Sequence, residues 1–166
     1  MLIPASAIPA FTVFHVAISL VGIATGFVVV FGMIMNRPVD RWVAVFLATT
    51  TLTSLTGFGF PIRGMTPGIA LGIISLVVLA PTIYARYGRR LAGHWRMVYV
   101  VGSLLALYLN VFVLIVQSFL KVPVLHALAP KQTEPPFMVA QLVSLVVFLV
   151  LGTLAARRSR PGVLAA

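Results

Sequence analysis

Three histidines, His15, His94 and His126, and two carboxylates, Asp40 and Glu134, are the side chains of this 166-residue sequence with an obvious capacity for acid–base or metal chemistry. Histidine can hold a haem iron or move a proton near neutral pH. A b-type haem between two helices needs two histidines at matching depth. His15 lies inside one long apolar stretch and His94 just before another, at opposite sides of the membrane under the orientation derived below, so they cannot share a haem and no haem or other cofactor is expected. His94 belongs to the basic run from Arg86 to Arg96, which suits contact with anionic lipid headgroups. The absence of cysteine removes disulfides, thiolate nucleophiles and Cys-ligated metals together. Asp40 and Glu134 fall on opposite sides, which rules out paired-carboxylate catalysis. No Asp, Glu, Lys or Arg lies well inside an apolar stretch. Proton-relay carboxylates, arginine voltage sensors and a Schiff-base lysine all need such groups at depth. Ser/His/Asp catalysis could be assembled only at an interface, and no nucleophile motif supports it. Neither a metal site nor an enzyme is expected.

Uncharged polar side chains are more informative, because they form stripes. His15, Ser19, Gly22 and Gly26 follow one another at steps of four, three and four and share a helical face. Gly22 and Gly26 form a GxxxG, which lets a second backbone approach closely in lipid. Thr49, Thr50, Thr51, Thr53, Ser54 and Thr56 make a hydroxyl-dense segment. Each hydroxyl can bond back to a carbonyl about four residues earlier or across to another helix. Gly57, Gly59 and Pro61 follow and predict a loosened helix end. Ser103, Asn110 and Gln117, spaced by sevens, stack on one face. An unpaired amide at the depth of Asn110 would be costly, so it must find a partner. The hydroxyls of the Thr49–Thr56 segment, or Gln141 and Ser144 further on, are the candidates. Thr49, Thr53, Ser103, Asn110, Gln117 and Gln141 thus form a set of intramembrane polar packing positions. The alternative use of the same residues is to line a hydrated or ligand-filled cavity.

The elements that must carry these stripes are five apolar stretches, at about residues 8–35, 42–62, 67–85, 97–120 and 137–156. About 20 residues of helix rise ~30 Å, the thickness of a bilayer's hydrocarbon core. With 61% hydrophobic and 8% charged residues and a mean hydropathy of +1.13, the chain could not cover a water-soluble domain. The expected architecture is all-α: a polytopic transmembrane helix bundle of five spans forming a single domain over residues 1–166. The N-terminal stretch lacks the basic n-region and short apolar run of a cleavable signal, so the first span is expected to remain. The net charge of +10 reflects loop asymmetry, and no nucleic-acid partner is inferred. Arg37, Arg41, Arg86, Arg89, Arg90, Arg96, Arg157, Arg158 and Arg160 fall on one side, nine against the three of Arg63, Lys121 and Lys131. The positive-inside rule then puts the N-terminus outside and the C-terminus in the cytoplasm, and Trp42, Tyr84, Tyr87 and Trp95 mark the cytoplasmic interface. Pro81 should kink the third span near its inner end by leaving the Val77 carbonyl without a donor.

The longest link, residues 121–136, combines Val122, Val124, Leu125 and Leu128 with His126, Lys131 and Glu134. It is expected to be ordered over the bundle. Folded inward, it would bring His126, Lys131 and Glu134 towards His15 and Arg63, making a candidate ligand or partner site. The segment LAGHWRMVYV resembles the Gly-His-Arg helix starts of small four-helix haem proteins and DUF2306-type membrane proteins, although the partner histidines are missing and no ligand carries over. The segment LYLNVFVLIVQSFLKVPVLHALAPKQTEPPF resembles a recurring part of small inner-membrane proteins of proteobacteria and implies a bacterial inner-membrane location. By elimination the leading function is a structural or accessory subunit that associates with a larger membrane complex or with itself. The second is a bundle that binds or transports a small solute, lipid or quinone, and haem-based electron transfer is third.

Overall fold

A computed structural model describes residues 5–60 and 66–159 of the chain. Arg63, Pro61 and Ile62 lie outside the described residues. Among the described residues, six α-helices follow a short 3₁₀ turn at Ala5–Ala7: α1 (Ile8–Met35), α2 (Asp40–Gly57), α3 (Pro67–Ile83), α4 (Trp95–Lys121), α5 (Pro123–Leu128) and α6 (Pro135–Arg158). Four segments among the described residues are long and apolar enough to cross a membrane: Ile8–Met35, Pro67–Gly88, Trp95–Lys121 and Pro135–Arg158. The protein is therefore an all-helical integral membrane protein. α2 has 18 residues and differs from the expected second span. It starts earlier, at Asp40, where a carboxylate suits the helix N-terminus, and its hydroxyls and the Asp40–Arg41 pair keep it less apolar than the others.

Local chemistry explains the boundaries. α1 ends where Asn36 takes a left-handed conformation, φ 52° and ψ 48°, and its N–H bonds the Gly32 carbonyl. Thr66 caps α3 by accepting from the Ile69 N–H at 3.4 Å, and Pro67 occupies a first-turn position where no N–H is needed. Pro81 stands inside α3, and the helix continues past it into a π turn, Tyr84–Gly88, closed by the Arg89 N–H on the Tyr84 carbonyl at 2.9 Å. The third apolar element thus runs beyond the expected end near residue 85. Arg90, Leu91 and Gly93 then all have positive φ, a tight turn that folds Leu91 into the core. The 121–136 link is partly helical, since α5 occupies six of its residues. Pro135 and Pro136 begin α6 where their missing N–H groups cost nothing.

α1, α2, α3 and α4 close a ring in which each packs on the next and α4 returns to α1; α6 lies in the groove between α4 and α1, and α5 folds onto the end of α4. One half of the ring is solid. Val29, Met33, Phe46, Leu79, Tyr99 and Leu107 form its core. Two glycines make the close approach possible. A Cβ on Gly26 would lie 2.6 Å from Leu107 and 2.9 Å from Phe46, and one on Gly102 would overlap the Thr82 hydroxyl. The same end is tied by polar contacts: Asp40 pairs with Arg86, whose guanidinium lies 5.8 Å from the Tyr99 ring centre, and Arg96 donates to the carbonyl and hydroxyl of Ser159, each at 2.8 Å. Asn36 donates to the Arg158 carbonyl at 2.8 Å.

Candidate functional site

The other half of the ring encloses a cavity of about 660 Å³. That volume lies within the ~300–1,000 Å³ typical of small-molecule sites. All four ring helices contribute to it. Much of its wall is apolar, with Val16, Leu20, Leu109 and Val113 among the lining residues. Set into this wall are His15 and Ser19 from α1, Thr53 and Ser54 from α2, Ser75 from α3, and Asn110, Gln117 and Lys121 from α4. Lys121 is the one charged residue among the described residues of the lining.

The hydroxyls of α2 divide by direction. Thr49, Thr51, Ser54 and Thr56 bond back to the carbonyls of Val45, Leu47, Thr50 and Leu52 at 2.7 to 3.0 Å, which satisfies them inside their own helix. Thr50 and Thr53 reach across the ring, and Thr56, besides its bond to Leu52, also meets a partner on α1. Thr50, fully buried, accepts from the Asn110 amide at 3.3 Å, and the Thr53 hydroxyl meets Ser19 at 3.3 Å. Ser19 also donates to the His15 carbonyl at 2.7 Å, while the His15 Nδ1 lies 2.8 Å from the Thr56 hydroxyl. Phe60 packs edge-on against the His15 ring at 5.2 Å between centres. A Cβ on Gly22 would sit 3.2 Å from both the Thr49 and Thr50 hydroxyls and 3.7 Å from Asn110, so Gly22 admits the polar floor of the cavity.

The stripe Ser103, Asn110 and Gln117 therefore runs from the solid half, where Ser103 is fully buried, through the floor to the rim. Of the two candidate partners for Asn110, the structure selects Thr50 over Gln141. The Gln141 amide faces α4 instead and donates to the Phe112 carbonyl at 3.4 Å, outside the cavity. Its Oε1 and the Ser144 hydroxyl are buried without a hydrogen-bond partner.

His126, Lys131 and Glu134 are not brought to His15, and none lines the cavity. The link lies back along α4: the His126 Nδ1 is 3.3 Å from the Phe119 carbonyl, and Gln132 donates to the Val116 carbonyl at 2.8 Å. Val124 stays 71% exposed. Glu134 turns towards its own loop, accepting from the Lys131 N–H at 3.2 Å and the Thr133 N–H at 3.0 Å. Desolvation pushes its carboxyl upwards, but these amides and the nearby Lys131 charge outweigh it and hold the group below the ordinary carboxylate value. His94 is exposed at the solid end, its ring 5.0 Å from that of Trp95, with the full length of α4 between it and Lys121. No group of three His, Cys, Asp or Glu able to hold a metal occurs among the described residues.

Among the polar lining residues, Thr12, Thr66, Ser75 and Ser118 are absent from the sequence reading, and Lys121 enters it only as a loop charge. Ser75 follows Gly68 and Gly72 at steps of four and three, the stripe pattern seen in α1, and would have been found by applying that pattern to α3. Comparison with protein-family models, with curated proteins and with solved structures finds no match for this chain.

Proposed function

We propose that the protein is a five-span bacterial inner-membrane bundle that binds a small amphipathic molecule in the cavity between α1, α2, α3 and α4. One observation carries this reading: an otherwise close-packed bundle keeps a cavity of about 660 Å³ and sets polar groups into its largely apolar wall. Helix packing alone gives no reason for such a space, since protein interiors fill to near-crystalline density. The solid half blocks a continuous pore, so binding is favoured over conduction. α2 acts as the fifth span in this reading. Its 18 residues rise ~27 Å, and Thr50, Thr53 and Ser54 turn into the ring and away from lipid. Arg37, Arg41, Arg86, Arg89 and Arg96 gather at the solid end, which supports placing that end in the cytoplasm and the cavity outside.

The accessory-subunit reading comes second. Its support is the outward face of α6, where Leu142, Val143, Val146 and Leu149 are exposed, yet lipid satisfies that face without a protein partner. Solvent extraction of the protein purified in mild detergent, followed by mass spectrometry, tests the binding reading. A stoichiometric amphiphile is expected from wild type and should be depleted from Val113→Trp, whose indole intrudes into the cavity. Wild-type protein that yields no such molecule, with Val113→Trp equal to it in thermal midpoint, would sink the proposal.

A further inference from the structure

The hydrogen bonds around His15 define what its ring can offer. The Thr56 hydroxyl oxygen lies 2.7 Å from the Leu52 carbonyl oxygen and 2.8 Å from the His15 Nδ1. Two oxygens at 2.7 Å need a proton between them, and Thr56 owns only one. That proton points to Leu52, so Thr56 accepts from His15 and the imidazole carries its proton on Nδ1. The neutral ring then presents a bare lone pair at Nε2, the nitrogen that no hydrogen bond among the described residues uses. Asn110 gives one N–H to Thr50 and keeps its second N–H and its carbonyl oxygen, so it can meet either a donor or an acceptor. The His15 Nε2 is thus the deep group that accepts only and seeks a donor. A ligand with bare carbonyls, such as an oxidised quinone, offers none, whereas a hydroxyl does.

The rim has the opposite demand. Lys121 faces no carboxylate among the described residues of the lining, and an anion would complete it.

The path inward follows from α6. Towards the solid end α6 seals the seam between α1 and α4, with Phe148 against Phe27 at 6.0 Å and against Tyr108 at 5.5 Å. Nearer the cavity α6 holds to α4, through Phe137 on Phe119 at 5.4 Å and Gln141 on Phe112. There Val16, Leu20 and Leu114, exposed by 43, 47 and 38%, line the cavity on the α1 and α4 sides. Apolar residues at the edge of a cavity that faces hydrocarbon make a side opening suited to an acyl chain.

Resting on the binding reading above, we infer that the ligand is a membrane lipid with an anionic, hydroxyl-bearing headgroup, which enters sideways between α1 and α4, gives a hydroxyl hydrogen bond to His15 Nε2, sets its negative charge near Lys121 and leaves its chain in the gap beside Leu20 and Leu114.

Three lipids with identical tails separate the parts of this inference: phosphatidylglycerol carries a net negative charge and hydroxyls, phosphatidylmethanol the net charge alone, and zwitterionic phosphatidylcholine neither a net charge nor a hydroxyl. Native mass spectrometry of the full chain against each should rank them in that order, with about ten-fold between first and last. His15→Phe should erase the gap between the first two. Lys121→Gln should erase the gap between the last two, and Lys121→Arg should keep it. Because His15→Phe could disturb packing, ¹⁵N-histidine NMR of wild type gives an independent reading: Nε2 of His15 should be unprotonated and should shift on adding phosphatidylglycerol but not phosphatidylmethanol. Trp at both Leu20 and Leu114 should slow uptake from vesicles. Equal binding of phosphatidylglycerol and phosphatidylmethanol, a protonated Nε2 in the neutral ring, or unchanged uptake through the Trp pair overturns the inference. If all three lipids fail while extraction still finds another amphiphile, this inference falls and the binding reading stands; if extraction also finds nothing, both fall.

Discussion

Asn110 joins α4 to α2 through one hydrogen bond to a hydroxyl that has no exposure of its own. Replacing it with Leu removes the donor and leaves Thr50 facing an alkyl chain. Interhelical bonds of this kind contribute ~0.6–2 kcal/mol in membrane proteins. The Asn110→Leu variant should therefore melt earlier in detergent than wild type, and adding Thr50→Val should cost little more, because the bond is already gone. Additive losses would show that the two side chains act independently. Glu134 gives a pH effect of known sign. Its folded value is lowered, so the order it lends to residues 131–134 is present above the ordinary carboxylate range and is lost as pH falls through the lowered value. Amide exchange at Lys131 and Thr133 should accelerate over that acidic window, and Glu134→Gln should flatten the dependence. The sequence revealed that Asn110 needs a partner, because an amide at depth is costly. Which hydroxyl it takes was open, since Thr50 and Thr53 differ from their neighbours only in facing the ring.

Among the elements, the α3–α4 contact is the tightest constraint on shape. Gly102 sits where any Cβ would overlap the Thr82 hydroxyl, and this contact holds the two helices together below the level at which Ser75 and Val113 line open space. Gly102→Ala should destabilise the bundle by about 1–3 kcal/mol, the usual range for overpacking, and Thr82→Ala in the same chain should recover part of the loss. Thermal unfolding of the single and double variants checks this, and no recovery would place the strain elsewhere. The limits of α1, residues 8–35, were readable because an uncharged apolar run in lipid has one stable form, the helix. α2 was harder to delimit. Its polar residues make it a poor span by composition, and only its partners in the ring account for them. The π turn after Pro81 and the αL turn at Arg90 and Leu91 were also invisible, since they answer to the packing of Leu91 and the Asp40–Arg86 pair.

At the scale of the molecule, the cations gather at the solid end and the cavity opens at the other. If five helices cross the membrane, reporter fusions after Arg90 and after Arg160 should both read cytoplasmic, and one at Lys131 should read external. A different pattern would mean that α2 or α3 does not cross, and would reverse the side on which the cavity opens.

Composition and hydropathy alone determined the solvent and the secondary structure: with so few charges and such long apolar runs, the chain belongs in a bilayer, where unpaired backbone is too costly for anything but helix. The placement of the polar stripes on helical faces followed from the 3.6-residue period. What the period could not state is how far apart those faces stand. Tertiary structure decided that the ring closes at Gly26 and Gly102 and spreads at the level of His15 and Lys121, that Glu134 serves its own loop, and that Thr50 holds Asn110. Each depends on distances between helices, which side-chain volumes set jointly and no single stretch of sequence encodes.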